Sequence, residues 1–147
     1  RVDQVVEAVV LPPELARRPD AQEDYGTARD IARMVVKQYG GWWDDIPSHW
    51  NPAPLARQAR EIAAMAGGAP ALIARARAIV ATEPALASSL ADWAWLAAPR
   101  DRVVLQGAFD IYVQRVNDHP LQITTQEALV YFEHLTRLKL LMQDAAP

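Results

Sequence analysis

Apolar residues recur three and four positions apart along most of the chain and rarely alternate, a pattern that predicts helices rather than sheet. Val2, Val5, Val6 and Val9 form a first stripe that stops at Leu11-Pro12-Pro13, where two prolines withhold backbone donors and disfavour helical backbone before them. A second helix is predicted from about Asp24 to Tyr39, carrying Ile31, Met34 and Val35, with Gly40-Gly41 supplying the left-handed residue that ends it. Pro54 suits the first turn of a helix running to Met65 and ended by Gly67-Gly68, and Pro70 opens the next in the same way. That helix turns Leu72, Ile73, Ala76, Ile79 and Val80 inward and Arg75 and Arg77 outward. It gives way near Thr82-Glu83-Pro84. Helices over Ala85–Ala97 and Val103–Val116 follow, the first stopped by Pro99 and the second closed by Asn117-Asp118-His119-Pro120. Thr124, three residues before Glu127, is a capping-box pattern heading a last helix towards Met142.

The predicted class is therefore all-α, a helical bundle of about six helices. Its first half is wrapped by proline-rich connectors. Its second half reads as tetratricopeptide-like hairpins, because short alanine-rich helices alternate with connectors of a few residues, although no strict period repeats.

Composition narrows the function. At 147 residues the chain is long enough for one domain, and 51% hydrophobic against 22% charged residues with a net charge of -3 places it with globular rather than disordered sequences. A pI near 5.6 offers no basic face for a phosphate backbone, so nucleic acid is excluded as a partner. No apolar run approaches the roughly 20 residues that span a bilayer, so membrane insertion is not expected. The absence of cysteine removes disulfides, thiolate metal sites and cysteine nucleophiles together, and leaves the compartment open. The chain opens on Arg1-Val2-Asp3-Gln4 without a methionine, which reads as a fragment of something longer.

One segment concentrates the remaining chemistry. Gly40-Gly41-Trp42-Trp43-Asp44-Asp45-Ile46-Pro47-Ser48-His49-Trp50-Asn51-Pro52 holds three of the five tryptophans, two carboxylates and a histidine. Asp44, Asp45 and His49 are oxygen and imidazole donors of the kind a divalent ion takes, yet the loop has too few of them to complete a coordination shell, and no metal site is assigned. Asp44 is expected to accept hydrogen bonds from nearby backbone amides and hold a turn, with Asp45 in solvent. Trp42, Trp43 and Trp50 each combine a large apolar surface with one N–H, as interface anchors do; at least one is expected to serve as the loop's internal anchor. Trp93, Trp95, Phe109, Tyr112, Tyr131 and Phe132 fall at helical intervals that serve packing or line a groove, and His134 beside them reads as a satisfied histidine rather than a base. No serine stands in a nucleophile context and no glycine pattern cradles phosphate, so no catalytic residue is assigned.

Taken in order, Leu11-Pro12-Pro13, Tyr25-Gly26, Tyr39 with Gly41-Trp42, Asp44, Pro47, Asn51-Pro52, Pro54 and Ala66-Gly67-Gly68 resemble the dimerisation domain of alkyl sulfatases of the metallo-β-lactamase superfamily. The likeness runs ungapped from Leu11 to about Val80, continues through Leu90-Ala91-Asp92 and Pro99, and fades after Val116. It implies that residues 1–147 form a single helical dimerisation domain of a longer hydrolase, with two partners: a second copy of itself and an upstream metallo-β-lactamase-like domain. Zinc is then expected in that missing catalytic domain and no cofactor in this chain, which lacks the His-x-His-x-Asp-His ligand spacing. The resemblance implies Tyr25, Tyr39, Trp42, Trp43 and Trp50 as dimer or domain contacts, and Tyr25 and Arg29 as lining of a substrate cleft shared with the hydrolase. The chain departs from the family pattern at Asp30-Ile31 and Asp45-Ile46, where the hydrolases tend to have His-Asn and Gly-Asn. Two other roles stay open on the residues alone: a stand-alone helical module holding a peptide or small apolar ligand, and a domain completing the hydrolase cleft.

Overall fold

Proline and glycine set several of the helix ends. The computed structural model describes residues 2–117 and 123–145, which form eight α-helices without strands: α1 (Val2–Ala8), α2 (Pro13–Ala16), α3 (Ala28–Gly40), α4 (Leu55–Met65), α5 (Ala69–Ile79), α6 (Pro84–Ala97), α7 (Arg102–Asn117) and α8 (Thr125–Asp144). The chain is all-α, and it divides into two compact units: Arg1–Pro52 with Thr124–Glu127, and Ala53–Ile123 with Ala128–Pro147. Asp118, His119 and Pro120, expected to close α7, lie outside the described residues.

In the first unit α1 packs on α3 and buries Val6, while Val5 on the same predicted stripe is exposed. Pro13 starts the single turn α2, and Pro19 and Pro47 each start a short 3₁₀ turn, Pro19–Ala21 and Pro47–His49, none of which the apolar spacing predicts. α3 begins at Ala28 rather than near Asp24. Thr27 and Asp30 form a reciprocal capping box: the Thr27 hydroxyl accepts from the Asp30 amide at 3.1 Å, and the Asp30 carboxylate accepts from the Thr27 amide at 2.9 Å. The backbone before Thr27 is committed elsewhere. The carbonyls of Asp24 and Tyr25 accept from the amides of Thr125 and Gln126 at 2.8 and 3.3 Å, supplying partners to N–H groups that the first turn of α8 leaves open. At its other end α3 stops at Gly41, whose φ of +76° is open to glycine and strained for a side chain.

The second unit holds the larger core. Leu72, Ile73, Ala76, Ile79 and Val80 are all buried, as their spacing predicts. Helix α6 contributes Ala87, Ala91 and Ala94, all without exposed surface, and these small side chains let α4, α5 and α7 approach it closely. Gly107 on α7 is needed for the same reason: a Cβ there would lie 2.1 Å from Ile73 Cγ2. Gly67 and Gly68, with φ of +89° and +112°, turn the chain between α4 and α5, and the Gly68 amide returns to the Ala63 carbonyl at 2.7 Å. Asp101 caps α7 through the amides of Val103 and Val104. At the head of α8, in the part that belongs to the first unit, Thr124 accepts from the Glu127 amide at 3.3 Å, in line with the predicted cap. Leu138 of α8 joins the core of the second unit, whereas Leu129, Phe132 and Leu140 on the same helix are exposed.

Candidate functional site

The segment after α3 folds back on itself through a few short-range bonds. Asp44 accepts from the Ile46 amide at 3.1 Å, which holds a turn, and its other oxygen meets His49 Nδ1 at 2.6 Å. The bond to His49 is the first cause that holds the Asp44 carboxyl below its ordinary pKa. Asp45 is exposed and sits in the left-handed region at φ +66°, a conformation that short acidic side chains tolerate. The result is a hairpin of backbone that gathers three indoles. Trp42 and Trp43 meet edge to face at 5.8 Å, Trp43 and Trp50 edge to face at 5.5 Å, and Trp42 lies tilted against Trp50 at 5.2 Å.

This cluster is more open than a core. Trp43 is half-buried and anchors it, while Trp42 and Trp50 remain 63% and 69% exposed. Behind it, α1 and α3 border a cleft of about 740 Å³ lined by Val6, Val36, Trp43 and Ile46, with Asp3, Glu7, Arg33 and Lys37 at its edges. Charges of both signs surround the cleft, so it has no clear preference for an anion or a cation. Tyr25 and Tyr39 stand exposed near opposite ends of α3 rather than in the indole cluster. Arg29 also points elsewhere. Its guanidinium donates to the carbonyls of Val9 and Glu7 at 3.3 and 3.4 Å, where α1 ends, so it fastens the end of α1.

A second polar cluster, not anticipated from the sequence, lies in the other unit. There Tyr112 donates to the Asp92 carboxylate at 2.7 Å, and the His134 ring packs edge-on against Tyr112 at 4.7 Å and Trp95 at 5.0 Å. These groups border a groove of about 360 Å³. Burial pushes the Asp92 carboxyl and the Tyr112 phenol up and the His134 imidazole down, so each is steered towards its neutral form. The phenol, the imidazole and the hydrogen-bonded carboxyl pack against one another beside Trp95. Tyr112 and His134 look like packing residues in the sequence, and no local spacing links them to Asp92, which is 20 residues before Tyr112.

Among the described residues no three His, Asp or Glu side chains gather as a metal site. Nor is any single helix there long and apolar enough to cross a membrane.

The family model described as alkyl sulfatase dimerisation matches residues 1–120. The chain is 35% identical over 96 residues to a linear primary-alkylsulfatase of Pseudomonas sp., covering 65% of this chain and 17% of that protein. It is 32% identical over 72 residues to the alkyl/aryl-sulfatase BDS1 of Saccharomyces cerevisiae, covering 49% of this chain and 11% of that one. A solved structure of a double mutant of the sec-alkyl sulfatase PisA1 superposes with a TM-score of 0.79 over 95% of this chain and 22% of its own, at 22% identity. The chain thus spans less than a quarter of the length of the sulfatases it matches.

Proposed function

Since the chain belongs to the alkyl sulfatase dimerisation family, we propose that it is the non-catalytic self-association module of a larger alkyl-sulfatase-like hydrolase. The observation that carries this reading is the indole cluster, in which a tightly turned loop holds Trp42 and Trp50 together and leaves both largely in solvent. Large aromatic side chains fixed in place lose little side-chain freedom on binding and dominate the energy of protein contacts. In this proposal Trp42 and Trp50 meet the partner, Trp43 supports them from below, and Tyr25 and Tyr39 add contact area at the ends of α3. The zinc chemistry belongs to a metallo-β-lactamase-like domain of the parent outside these residues, and this chain supplies no ligand to it. Of the two residues assigned to a substrate cleft shared with that domain, Tyr25 takes that role in this proposal, because it is exposed and Arg29 is engaged with the end of α1.

Light scattering after size exclusion, over a range of concentrations, tests the reading. The chain is expected to give the mass of a dimer, and a strictly monomeric chain at high concentration would overturn it. Trp42→Ala and Trp50→Ala should each weaken association by roughly 30-fold, the equivalent of about 2 kcal/mol for an interface anchor. Unchanged association with a lower melting temperature would assign both rings to the fold instead.

A further inference from the structure

Helix α3 is amphipathic, and its apolar face is not the one turned towards its own unit. At 100° per residue its charged positions Arg29, Arg33 and Lys37 fall on the side of Ala32 and Val36, and that is the side occupied by α1 and the cleft. Asp30 is drawn to the same side as Arg33, with which it pairs at 3.0 Å. The opposite face consists of Ala28, Ile31, Met34, Val35, Gln38 and Tyr39 and contains no charge. That face is uncovered: Ile31 is 58%, Met34 62%, Val35 49% and Tyr39 83% accessible. A surface helix ordinarily turns its apolar stripe to the core, whereas in α3 the charged positions stay in solvent beside α1 and the apolar stripe is uncovered as well. Four large apolar side chains at this spacing on the outside mark a face that another protein surface covers.

We propose that this face of α3 packs against α3 of a second copy, antiparallel across a two-fold axis near Met34 and Val35. The inference rests on the self-association reading above and adds the helix that carries it. Two features select a second copy as the occupant. The first is position: the residues matched to the dimerisation family, 1–120, include all of α3, whereas an exposed apolar face of α8, Leu129, Phe132 and Leu140, lies outside them. The second is self-complementarity. A two-fold contact sets a patch against its own image, so any charge on the patch faces a like charge nearby. The α3 face meets that condition because Arg29, Arg33 and Lys37 are all withdrawn from it. Antiparallel pairing also sets the N-terminal end of each helix beside the C-terminal end of the other, a favourable arrangement of the two dipoles.

The full 147-residue chain is the test object, and its lack of cysteine makes any introduced thiol unique. Met34→Glu and Met34→Lys should each reduce association by ~30-fold or more while leaving the far-ultraviolet circular dichroism unchanged, since the side chain is exposed. An equimolar mixture of the two should recover the dimer mass, because opposite charges then face each other across the axis. Met34→Cys should be joined by a short bifunctional thiol cross-linker, and Met65→Cys, which is more exposed and lies on the second unit, should not. If the unaltered chain dimerises and Met34→Glu dimerises equally well, the α3 contact is wrong and the self-association reading stands. If the charged variants are monomeric and their mixture stays so, the pairing is not isologous and the proposal fails. If the unaltered chain is monomeric throughout, both readings fail. Should the charged variants lose helix, the cross-linking pair decides the outcome, equal yields at Met34→Cys and Met65→Cys overturning the proposal.

Discussion

Asp30 shows how much a single side chain can carry where little apolar surface is buried. Its carboxylate closes the capping box with Thr27 and also takes the Arg33 guanidinium. These contacts, the Thr27 amide first among them, hold its pKa below the ordinary carboxylate value. A lowered folded-state pKa means a contribution that is complete above about pH 4, where the unfolded carboxyl is ionised, and that is lost as pH falls through the lowered folded value. Asp30→Ala should therefore cost about 1 kcal/mol at neutral pH, read as faster hydrogen exchange of the α3 amides. Below the carboxylate range the variant and the parent should converge. A threonine followed three residues later by an acid is a legible cap in the sequence. Apolar periodicity nevertheless extends the predicted helix back to Asp24, because spacing alone cannot register that Thr125 and Gln126 need the carbonyls of Asp24 and Tyr25. The resemblance to active hydrolases marks Asp30 as a departure from their pattern, and in this chain it is a structural residue.

At the level of elements, the close approach of α5 and α7 depends on a residue without a side chain. Gly107 stands mid-helix, where alanine would be favoured by about 1 kcal/mol on propensity alone. The geometry reverses that sign, since the added methyl would collide with the Cγ2 methyl of Ile73, which is attached directly to that residue's Cβ. Gly107→Ala is expected to lower stability by ~1–3 kcal/mol, the cost of overpacking a filled core. Adding Ile73→Ala, which removes the atoms that collide, should make the second change less costly in that background than alone, a coupling that a double-mutant cycle by denaturant unfolding would measure. The inward stripe Leu72, Ile73, Ala76, Ile79 and Val80 was legible because it belongs to one helix and repeats with that helix's period. The need for glycine at position 107 was not, because it arises from the distance to a second helix. For the same reason the indole cluster could be suspected but not drawn: its geometry comes from the Asp44 turn and the Pro47–His49 turn acting together.

For the molecule as a whole, the two units are unequal in what they bury. The second has fifteen buried residues in one continuous core, while in the first Val6 is the one apolar side chain among the described residues to be fully covered. A unit of this size without a core depends on caps, short turns and whatever covers its outer surface. Dimerisation should then raise the stability of the first unit by mass action, by roughly 2.7 kcal/mol at a hundredfold excess over the dissociation constant. Trp42, Trp43 and Trp50 report on this unit and Trp93 and Trp95 on the other, so a Trp93→Phe, Trp95→Phe chain isolates the signal. Its fluorescence melt should shift upward with protein concentration, and a melt independent of concentration would show that the first unit stands without its twin. Class and family were visible from spacing and motif order. Which apolar stripes face solvent was not visible, because a helical period gives the direction of a face only relative to its own axis.

The capping box of α3 bears on the speed of assembly as well as on stability. In the proposed pairing, a helix whose ends are fixed by Thr27 with Asp30 and by Gly41 has little left to order when a second copy arrives. Two such copies have only to orient, with no segment to fold on contact, so their encounter falls in the ordinary range of roughly 10⁵–10⁷ M⁻¹s⁻¹ for docking preformed patches. Differences in affinity among variants of the α3 face would then be expressed in how long the pair stays together.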